Sequence, residues 1–257
     1  ELISVTQYDI REQIPISDLI IGLKCGGSDG LSGITANPLV GAFSDKLISQ
    51  GGSAILTEVP EMFCAETILM NRCKNKSVFK KTVSLINEFK NYYTKHGHPI
   101  YENPSPGNKA GGITTLEEKA LGCTQKAGTA AVIDVLAYGE ALHEKGLNLL
   151  ESPGNDLVAS TALAASGAHL ILFTTGLGTP FGAPVPTIKI SSNTALYNKK
   201  PGWIDFDAGP LAFGADIDKM ANNLFSFVLE LANGNILTKT EQNEIRDIAI
   251  FKNGVTL

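Results

Sequence analysis

The chain has 257 residues, of which 43% are hydrophobic, and a formal net charge of -5 at pH 7. This length and composition suit one large α/β domain and exclude a disordered chain. The acidic balance and the absence of a Lys/Arg-rich run argue against a nucleic-acid-binding protein. The sequence has no uninterrupted run of about 18 apolar residues, so no membrane span is predicted.

The first residues, Glu1-Leu-Ile-Ser-Val5, lack the basic start and apolar core of a signal peptide. The chain begins without Met, so we expect a processed form or a piece of a longer protein. Its four cysteines are widely spaced and form no Cys-x-x-Cys pair. This pattern favours reduced thiols in a cytoplasmic protein, with Cys73 and Cys123 predicted to pack within helices.

Strand and helix patterns alternate along the chain, which predicts a Rossmann-like three-layer sandwich with a mostly parallel sheet. No linker divides residues 1–257, so we expect a single α/β domain. The predicted strands cover 18–23, 53–59, 130–136, 147–150, 169–175, 186–190 and an added piece at 248–251. The predicted helices cover 38–50, 64–96, 115–121, 156–166 and 216–232, and residues 200–215 are expected to be irregular.

A glycine-rich loop joins the first predicted strand to the first helix, within Gly22-Leu-Lys-Cys-Gly-Gly-Ser-Asp-Gly-Leu-Ser-Gly-Ile-Thr-Ala-Asn-Pro38. Asn37 is the predicted N-cap, with Pro38 at the first helical position. The glycines let the backbone approach a ligand closely, at the end of a strand where α/β proteins bind ligands. A purely structural turn is the alternative. Candidate ligand-binding side chains in the loop are Cys25, Ser28, Asp29, Ser32 and Thr35.

Two carboxylates follow the second predicted strand. Glu58 and Glu61 lie on either side of Pro60, which ends the strand pairing between them. A divalent cation or an acid/base pair would use this arrangement. Solvated carboxylates at a helix start are the alternative.

A second polar loop covers Asn103-Pro-Ser-Pro-Gly-Asn-Lys-Ala-Gly-Gly-Ile-Thr-Thr115. Its prolines and glycines predict irregular structure, and Thr114 with Glu117 forms a capping-box pattern at the start of the next helix. The amino end of that helix favours a nearby anion. Lys109 is a candidate substrate clamp or proton carrier, with a plain surface lysine as the alternative.

Later strands add one more candidate and exclude two cofactor classes. Lys189, among β-branched neighbours, is either an edge-strand lysine or a buried charge with a function. The glycines of Gly176-Leu-Gly-Thr-Pro-Phe-Gly182 have the wrong spacing for a dinucleotide fingerprint, and no P-loop signature occurs. The residues alone therefore indicate an anion-binding α/β enzyme with a candidate metal site at one rim of the sheet.

Four segments, in this order along the chain, resemble the successive signatures of the altronate/galactarate dehydratase family. They are Gly22–Pro38, Thr57-Glu-Val-Pro-Glu61, Asn103-Pro-Ser-Pro-Gly-Asn-Lys-Ala-Gly-Gly112 and Phe173-Thr-Thr-Gly176. The resemblance implies the carboxyl-terminal catalytic region of a hydro-lyase that converts altronate or galactarate to a 2-keto-3-deoxy acid. Leu177 stands where the family pattern has Arg, which leaves the mode of carboxylate binding open.

The resemblance also implies a divalent metal, with Fe²⁺ preferred and Mn²⁺ as the alternative, in a cytoplasmic homo-oligomer acting on a small anionic sugar acid. Its implied site residues fall into three groups. The metal ligands are Glu58 and Glu61, joined by Cys25 or Asp29. The base or carboxylate clamp is Lys109 or Lys189. The hydroxyl-binding residues are Ser28, Ser32, Asn108 and Thr175.

The family carries a small amino-terminal domain that has no counterpart in this sequence, and two other functions therefore stay open. The chain is then either the large subunit of a two-chain enzyme similar to sulfolactate sulfo-lyase, with the small domain on a separate subunit, or an inactive ligand-binding module.

Overall fold

The computed structural model describes Ser4 and residues 12–254, so the stretch on which the signal-peptide prediction rests lies, apart from Ser4, outside the described residues. Seven parallel strands form one sheet in the order β3-β4-β2-β1-β5-β6-β7. The strands are β1 (Ile20–Cys25), β2 (Ser53–Leu56), β3 (Val132–Leu136), β4 (Leu147–Leu150), β5 (Leu170–Thr175), β6 (Thr187–Ser191) and β7 (Phe206–Asp207). The all-parallel sheet confirms the predicted fold class.

Nine α-helices, of which the last two follow the final strand, occur within the described part of the chain. They are α1 (Ala36–Ser49), α2 (Glu66–Met70), α3 (Lys76–Lys95), α4 (Pro106–Ala110), α5 (Leu116–Thr124), α6 (Asp156–Ala165), α7 (Thr194–Lys199), α8 (Ile217–Ala232) and α9 (Lys239–Gln242). Short 3-10 helices cover Ile16–Asp18, Val59–Met62, Gln125–Ala127 and Gly209–Phe213.

The sheet is covered on both faces, which explains why its central strands are almost continuously apolar. On one face, α1, α3 and α8 pack over a large core that includes Leu23, Phe43 and Leu172. On the other face, α6 packs against β1 and β5 over a smaller core around Leu163 and Phe173. The layers are therefore helix, sheet and helix.

The direction in which the chain adds strands to the sheet reverses at β1. Residues after β1 lead to β2, β3 and β4 on one side, and the chain then returns to place β5 on the other side of β1. Loops that leave the carboxyl ends of β1 and β5 therefore diverge and leave a crevice, which is where open α/β sheets bind ligands.

Several predicted boundaries differ from the structure, and two of the differences affect the site. The first strand ends at Cys25, so Lys24 and Cys25 belong to β1 and not to a loop. Helix α5 continues to Thr124, three residues beyond the prediction. Its N-cap is Thr115, with Glu118 as the third helical residue, and not the predicted Thr114 with Glu117.

Other differences have local causes. Helix α1 begins at Ala36, so Asn37 is not its N-cap; its amide bridges the Gly122 carbonyl and the Thr174 hydroxyl. The loop predicted to be irregular contains α4, because Ser105 caps it and Pro106 suits its first position. The predicted helix 64–96 is two helices, α2 and α3, because Asn75 caps a new start.

The last part of the chain also differs. Residues predicted to be irregular include β7 and a 3-10 helix, and residues 248–251 form no strand. No helix within the described residues is both long and apolar enough to cross a bilayer.

Candidate functional site

A buried lysine at the end of β1 joins three segments of the chain. Lys24 is fully buried, and its ammonium contacts one carboxylate oxygen of Glu58. It also donates to Asp156 Oδ1 at 2.9 Å and to the Gly154 carbonyl at 3.2 Å. Burial would lower the pKa of Lys24, but Asp156 and Glu58 outweigh it and hold the pKa above its ordinary value. The lysine is therefore charged and fixes the turn that follows β4 against β1.

Both carboxylate oxygens of Glu58 accept hydrogen bonds from protein donors. Lys126 Nζ lies 2.9 Å from Oε2, the oxygen that also accepts the backbone N–H of Cys25 at 2.9 Å. Burial would raise the pKa of Glu58, but the Lys126 and Lys24 ammoniums lower it to about 2. With both oxygens held by protein donors, Glu58 is an ionised anchor for two lysines.

The backbone of Glu58 explains how its carboxylate reaches this position. Its φ of 68° and ψ of 63° lie in the left-handed region, which non-glycine residues rarely adopt. This conformation turns the chain sharply after β2, and the side chain then reaches Lys24, Lys126 and the backbone N–H of Cys25. Strain of this kind persists where surrounding contacts fix it, often at a functional site.

Two thiols and a carboxylate converge beside this anchor. The sulfur atoms of Cys25 and Cys123 are 3.5 Å apart, and Cys123 Sγ lies 3.2 Å from Glu61 Oε2. The same Glu61 oxygen is 3.2 Å from Lys119 Nζ. Lys119 and Cys123 are four residues apart on α5, so they share one face of that helix.

The two thiols have different acidities. The hydrogen bond from Cys123 lowers the pKa of Cys25 to about 7, helped by Lys126 and opposed by burial. The same hydrogen bond, together with burial, raises the pKa of Cys123 well above its ordinary value. Burial would lower the pKa of Lys119, but Cys123 and Glu61 hold it well above its ordinary value. Cys25 is therefore the thiol that ionises near neutral pH.

The donor set fits a thiophilic divalent cation. Ligand atoms of Cys25, Glu61 and Cys123 all lie within 4.8 Å of one another, and all three residues are buried. Around them, the three lysines Lys24, Lys119 and Lys126 offset the carboxylates of Glu58, Glu61 and Asp156. The cluster is therefore neutral with protonated thiols, and deprotonating both would add the two negative charges that a divalent cation balances.

A cavity of about 560 Å³ opens next to this cluster. Its wall includes Cys25 at the end of β1, Glu61 in the 3-10 helix after β2, Lys119 on α5 and Asp156 at the start of α6. Tyr93 also lines the wall, near Glu61. Burial and the charges of Glu61 and Glu102 raise the pKa of Tyr93, so its hydroxyl keeps its proton. The cavity thus combines a fixed ammonium, carboxylates, the Cys25 thiol and a phenolic donor.

The structure brings three of the four predicted metal ligands together. Cys25, Glu58 and Glu61 share the buried cluster, although the Glu58 oxygens are already held by the lysines. Asp29 makes a separate set of contacts, in which its oxygens accept from Ser32, Ser192 and Asn193. Asp29 thereby fixes the glycine-rich loop to the ends of β5 and β6.

Of the four predicted hydroxyl-binding residues, only Asn108 lines this cavity; Ser28 and Ser32 lie in the glycine-rich loop, and Thr175 ends β5. Ser32 is bonded to Asp29, and Thr175 accepts the Gly178 N–H at 2.9 Å. Asn108 lines the cavity and donates to the Ser28 carbonyl at 2.9 Å, which ties α4 to the glycine-rich loop. The Ser28 hydroxyl is buried without a partner in the described residues. Their roles in substrate binding stay predictions.

The two predicted catalytic lysines are not among the residues that line the cavity. Lys109 is exposed on α4. Lys189 is buried in β6, where Nζ donates to the Thr179 carbonyl at 2.7 Å. Burial lowers the pKa of Lys189 to about 8, with Asp205 opposing the shift. Their catalytic roles stay predictions as well.

Five residues of the site were not singled out from the sequence. They are Lys24, Lys119, Cys123, Lys126 and Asp156. The four-residue spacing of Lys119 and Cys123 was a usable signal once the helix was extended past residue 121. Lys24 lay inside the glycine-rich motif but looked like a loop residue.

Comparison with known proteins gives a consistent family assignment. Residues 16–256 match the profile described as "D-galactarate/Altronate dehydratase, C-terminal". The chain is 61% identical over 259 residues to altronate dehydratase of Bacillus subtilis (strain 168), covering 100% of this chain and 52% of that protein. It is 56% identical over 257 residues to altronate dehydratase of Escherichia coli (strain K12), again covering 100% of this chain and 52% of the relative.

A more distant relative has a different name. The "(2R)-sulfolactate sulfo-lyase subunit beta" of Chromohalobacter salexigens is 34% identical over 229 residues, covering 87% of this chain and 59% of the relative. The chain spans about half the length of the curated relatives it matches.

Proposed function

Since the chain belongs to the D-galactarate/Altronate dehydratase C-terminal family, we propose that it is the catalytic domain of a sugar-acid dehydratase. The proposed reaction removes water from altronate or galactarate and leaves a 2-keto-3-deoxy acid. One observation carries the proposal: Lys119, Glu61, Cys25 and Asp156 share the wall of one cavity. A fixed ammonium, a cation site and a carboxylate base suit an anionic substrate that must lose a proton.

The cation of this proposal is Fe²⁺, held by Cys25, Glu61 and Cys123. When bound, it would supply Lewis-acid stabilisation of the negative charge that develops beside the substrate carboxylate. Two thiolates favour Fe²⁺ over Mn²⁺, which prefers oxygen ligands. Because thiols must be deprotonated to bind a metal, the lowered pKa of Cys25 supports this assignment.

Each proposed role of the chain's own residues follows from its place on the wall. Lys119, 3% exposed and charged, pairs with the substrate carboxylate. Asp156, whose Oδ1 is held by Lys24, accepts the proton next to that carboxylate. Tyr93, which keeps its proton, donates to the departing hydroxyl. Lys24 and Glu58 do not touch the substrate but position the segments that do.

The partners of the domain are part of the same proposal. We infer a small amino-terminal domain or separate subunit, because the chain spans about half the length of its relatives and one of them is named a subunit. A homo-oligomer in the cytoplasm completes this proposal. The 61% identity to an altronate dehydratase, against 34% to the sulfo-lyase subunit, favours dehydration over loss of sulfite.

The reaction is tested by incubating the purified chain with altronate, galactarate or sulfolactate, with and without Fe²⁺. The amino-terminal region of a relative is supplied in a parallel set. We expect a 2-keto-3-deoxy acid from one of the sugar acids, loss of turnover with a chelator and recovery with Fe²⁺. Sulfite release without any keto acid would overturn the proposed reaction.

Two variants distinguish the proposed carboxylate-binding residue from the one predicted by sequence. Lys119→Met should raise KM and lower kcat/KM by on the order of 100-fold or more, since a desolvated charge pair is lost. Lys109→Met is the matched control and should stay within a few-fold of the parent. The reverse pattern would assign the carboxylate to Lys109.

A further inference from the structure

Cys25 and Cys123 are neighbours in space although 98 residues separate them in the chain. Cys25 ends the central strand β1, and Cys123 lies in the last turn of α5. Their sulfur atoms are 3.5 Å apart, and both residues are buried. Cys64 is exposed and Cys73 half-buried.

We propose that Cys25 and Cys123 form a reversible disulfide when a peroxide oxidises Cys25, so that the site exists in a dithiol state and a disulfide state. The disulfide itself does not depend on the proposed dehydration. Its effect on cation binding rests on the proposed function, since that effect requires the cation to sit on these thiols.

The chemistry takes two balanced steps. The Cys25 thiolate attacks one oxygen of hydrogen peroxide, the O–O bond breaks, and the products are a sulfenic acid on Cys25 and, after protonation, water. The Cys123 sulfur then attacks the sulfenic sulfur, the S–O bond breaks, and a second water leaves with the thiol proton. Overall, two thiols lose two electrons and two protons, and one peroxide becomes two waters.

The surroundings favour the first step at Cys25. This residue is 1% exposed but lines the cavity, which gives a molecule as small as peroxide a path toward it. Lys119 lies on the same cavity wall and places a positive charge near the attacking sulfur. The second step has a resolving thiol already in contact, and closing the S–S bond to about 2.0 Å requires a movement of roughly 1.5 Å between the sulfurs.

The disulfide would remove two of the three ligands of the candidate cation site. Only the Glu61 carboxylate would remain, and it is already paired with Lys119. A disulfide is neutral, so the three lysines and three carboxylates of the cluster stay balanced without a cation. Oxidation therefore exchanges one stable charge state of the site for another.

Peptide mapping tests the disulfide directly, because trypsin places the four cysteines in four different peptides. Cleavage after Lys24, Lys46, Lys119 and Lys126 yields the peptides 25–46 and 120–126. After peroxide treatment of the reduced protein and alkylation, we expect these two peptides joined, with the loss of two hydrogen atoms and full reversal by dithiothreitol. In Cys123→Ser, the Cys25 sulfenic acid persists and reacts with dimedone.

Cys64→Ser and Cys73→Ser are the controls, and each should form the 25–46/120–126 pair as the parent does. Absence of that pair in the parent, or Cys25 found only as sulfinic acid, would overturn the proposal.

Co²⁺ then probes the cation site through its thiolate charge-transfer absorption. The disulfide form should bind Co²⁺ on the order of 100-fold more weakly or worse than the dithiol form. A disulfide without this change would leave the redox pair standing and remove the cation from these thiols.

Discussion

Lys24 on β1 and Lys189 on β6 are two buried lysines with opposite electrostatics. Each ammonium lies near the same aromatic ring, at 5.9 Å and 5.8 Å from the centroid of Phe173. The pKa of Lys24 is raised, whereas that of Lys189 is lowered to about 8. Burial acts in the same direction on both, so the difference comes from their partners.

Those partners are carboxylates in one case and a carbonyl in the other. Lys24 touches Glu58 and Asp156, while Lys189 donates to the carbonyl of Thr179 and has no carboxylate within ion-pair distance among the described residues. A buried charge is costly unless it is paired and hydrogen-bonded. Ion pairs therefore stabilise the buried charges around Glu58. The ammonium of Lys189, which has no such pair, destabilises the fold when it is charged.

The largest effect should come from removing the charge of Glu58. Glu58→Gln leaves Lys126 without a carboxylate partner and Lys24 with Asp156 alone, and we expect a loss of about 3–5 kcal/mol in the free energy of unfolding. Urea denaturation followed by circular dichroism measures it. Glu144→Gln, which removes an exposed ion pair with Lys74, is the matched control and should cost no more than about 1 kcal/mol. Equal costs for the two variants would contradict the comparison.

Acid should remove nearly the same free energy from the unmodified protein. The pKa of Glu58 is about 2 in the folded protein and 4.5 ordinarily. A lowered carboxylate pKa stabilises the fold fully above the ordinary value and is lost as pH falls through the folded one. We therefore expect a loss of about 3 kcal/mol between pH 4.5 and 2 that Glu58→Gln lacks. Parallel pH profiles of the two proteins would sink this attribution.

Lys189→Met should stabilise the protein, in contrast to Lys24→Met. Removing an unpaired buried ammonium while keeping the apolar volume should raise the free energy of unfolding by about 1–3 kcal/mol at pH 7. Thermal and urea unfolding of both variants provide the measurement. The turnover of Lys189→Met also tests the catalytic role predicted for this residue: full activity in a stabilised variant would refute it.

The last contrast is the alkaline pH dependence of Lys189. Between pH 8 and 10.5 the unfolded chain binds more protons at this residue than the folded protein, so its contribution to stability rises with pH. The stability advantage of Lys189→Met should therefore shrink across this range. A constant difference between variant and parent from pH 7 to 10 would show that the pKa of Lys189 is not lowered in the folded protein.

The sequence predicted the parallel α/β architecture and the convergence of several loops at one rim. It also led to Cys25, Glu58 and Glu61 as candidate ligands, because polar residues directly after apolar strands are unusual, and the structure places these three residues close together. These inferences rest on local patterns, and the sheet order that brings the loops together follows from general rules for parallel strands.

The lysines escaped prediction because their burial depends on distant partners. Lys24 contacts Glu58, which is 34 residues away in sequence, and Asp156, which is 132 residues away. The residues next to Lys24 in the sequence do not indicate either contact. Cys123 was predicted to be a packing residue for the same reason, since only the fold brings it next to Cys25. Asp29, also predicted to be a ligand, accepts hydrogen bonds from Ser192 and Asn193, whose proximity depends on the pairing of β5 with β6.

The pairing of β1 with β5 also has a consequence for biosynthesis. Residue Ile21 pairs with Leu170 in the middle of the sheet, so the central strand stays half-covered until most of the chain has left the ribosome. Pairings this distant in sequence form slowly because a long loop must close first. We expect nascent chains that stop before β5 to expose an apolar strand edge and to depend on chaperones, which ribosome-arrested chains of increasing length would reveal.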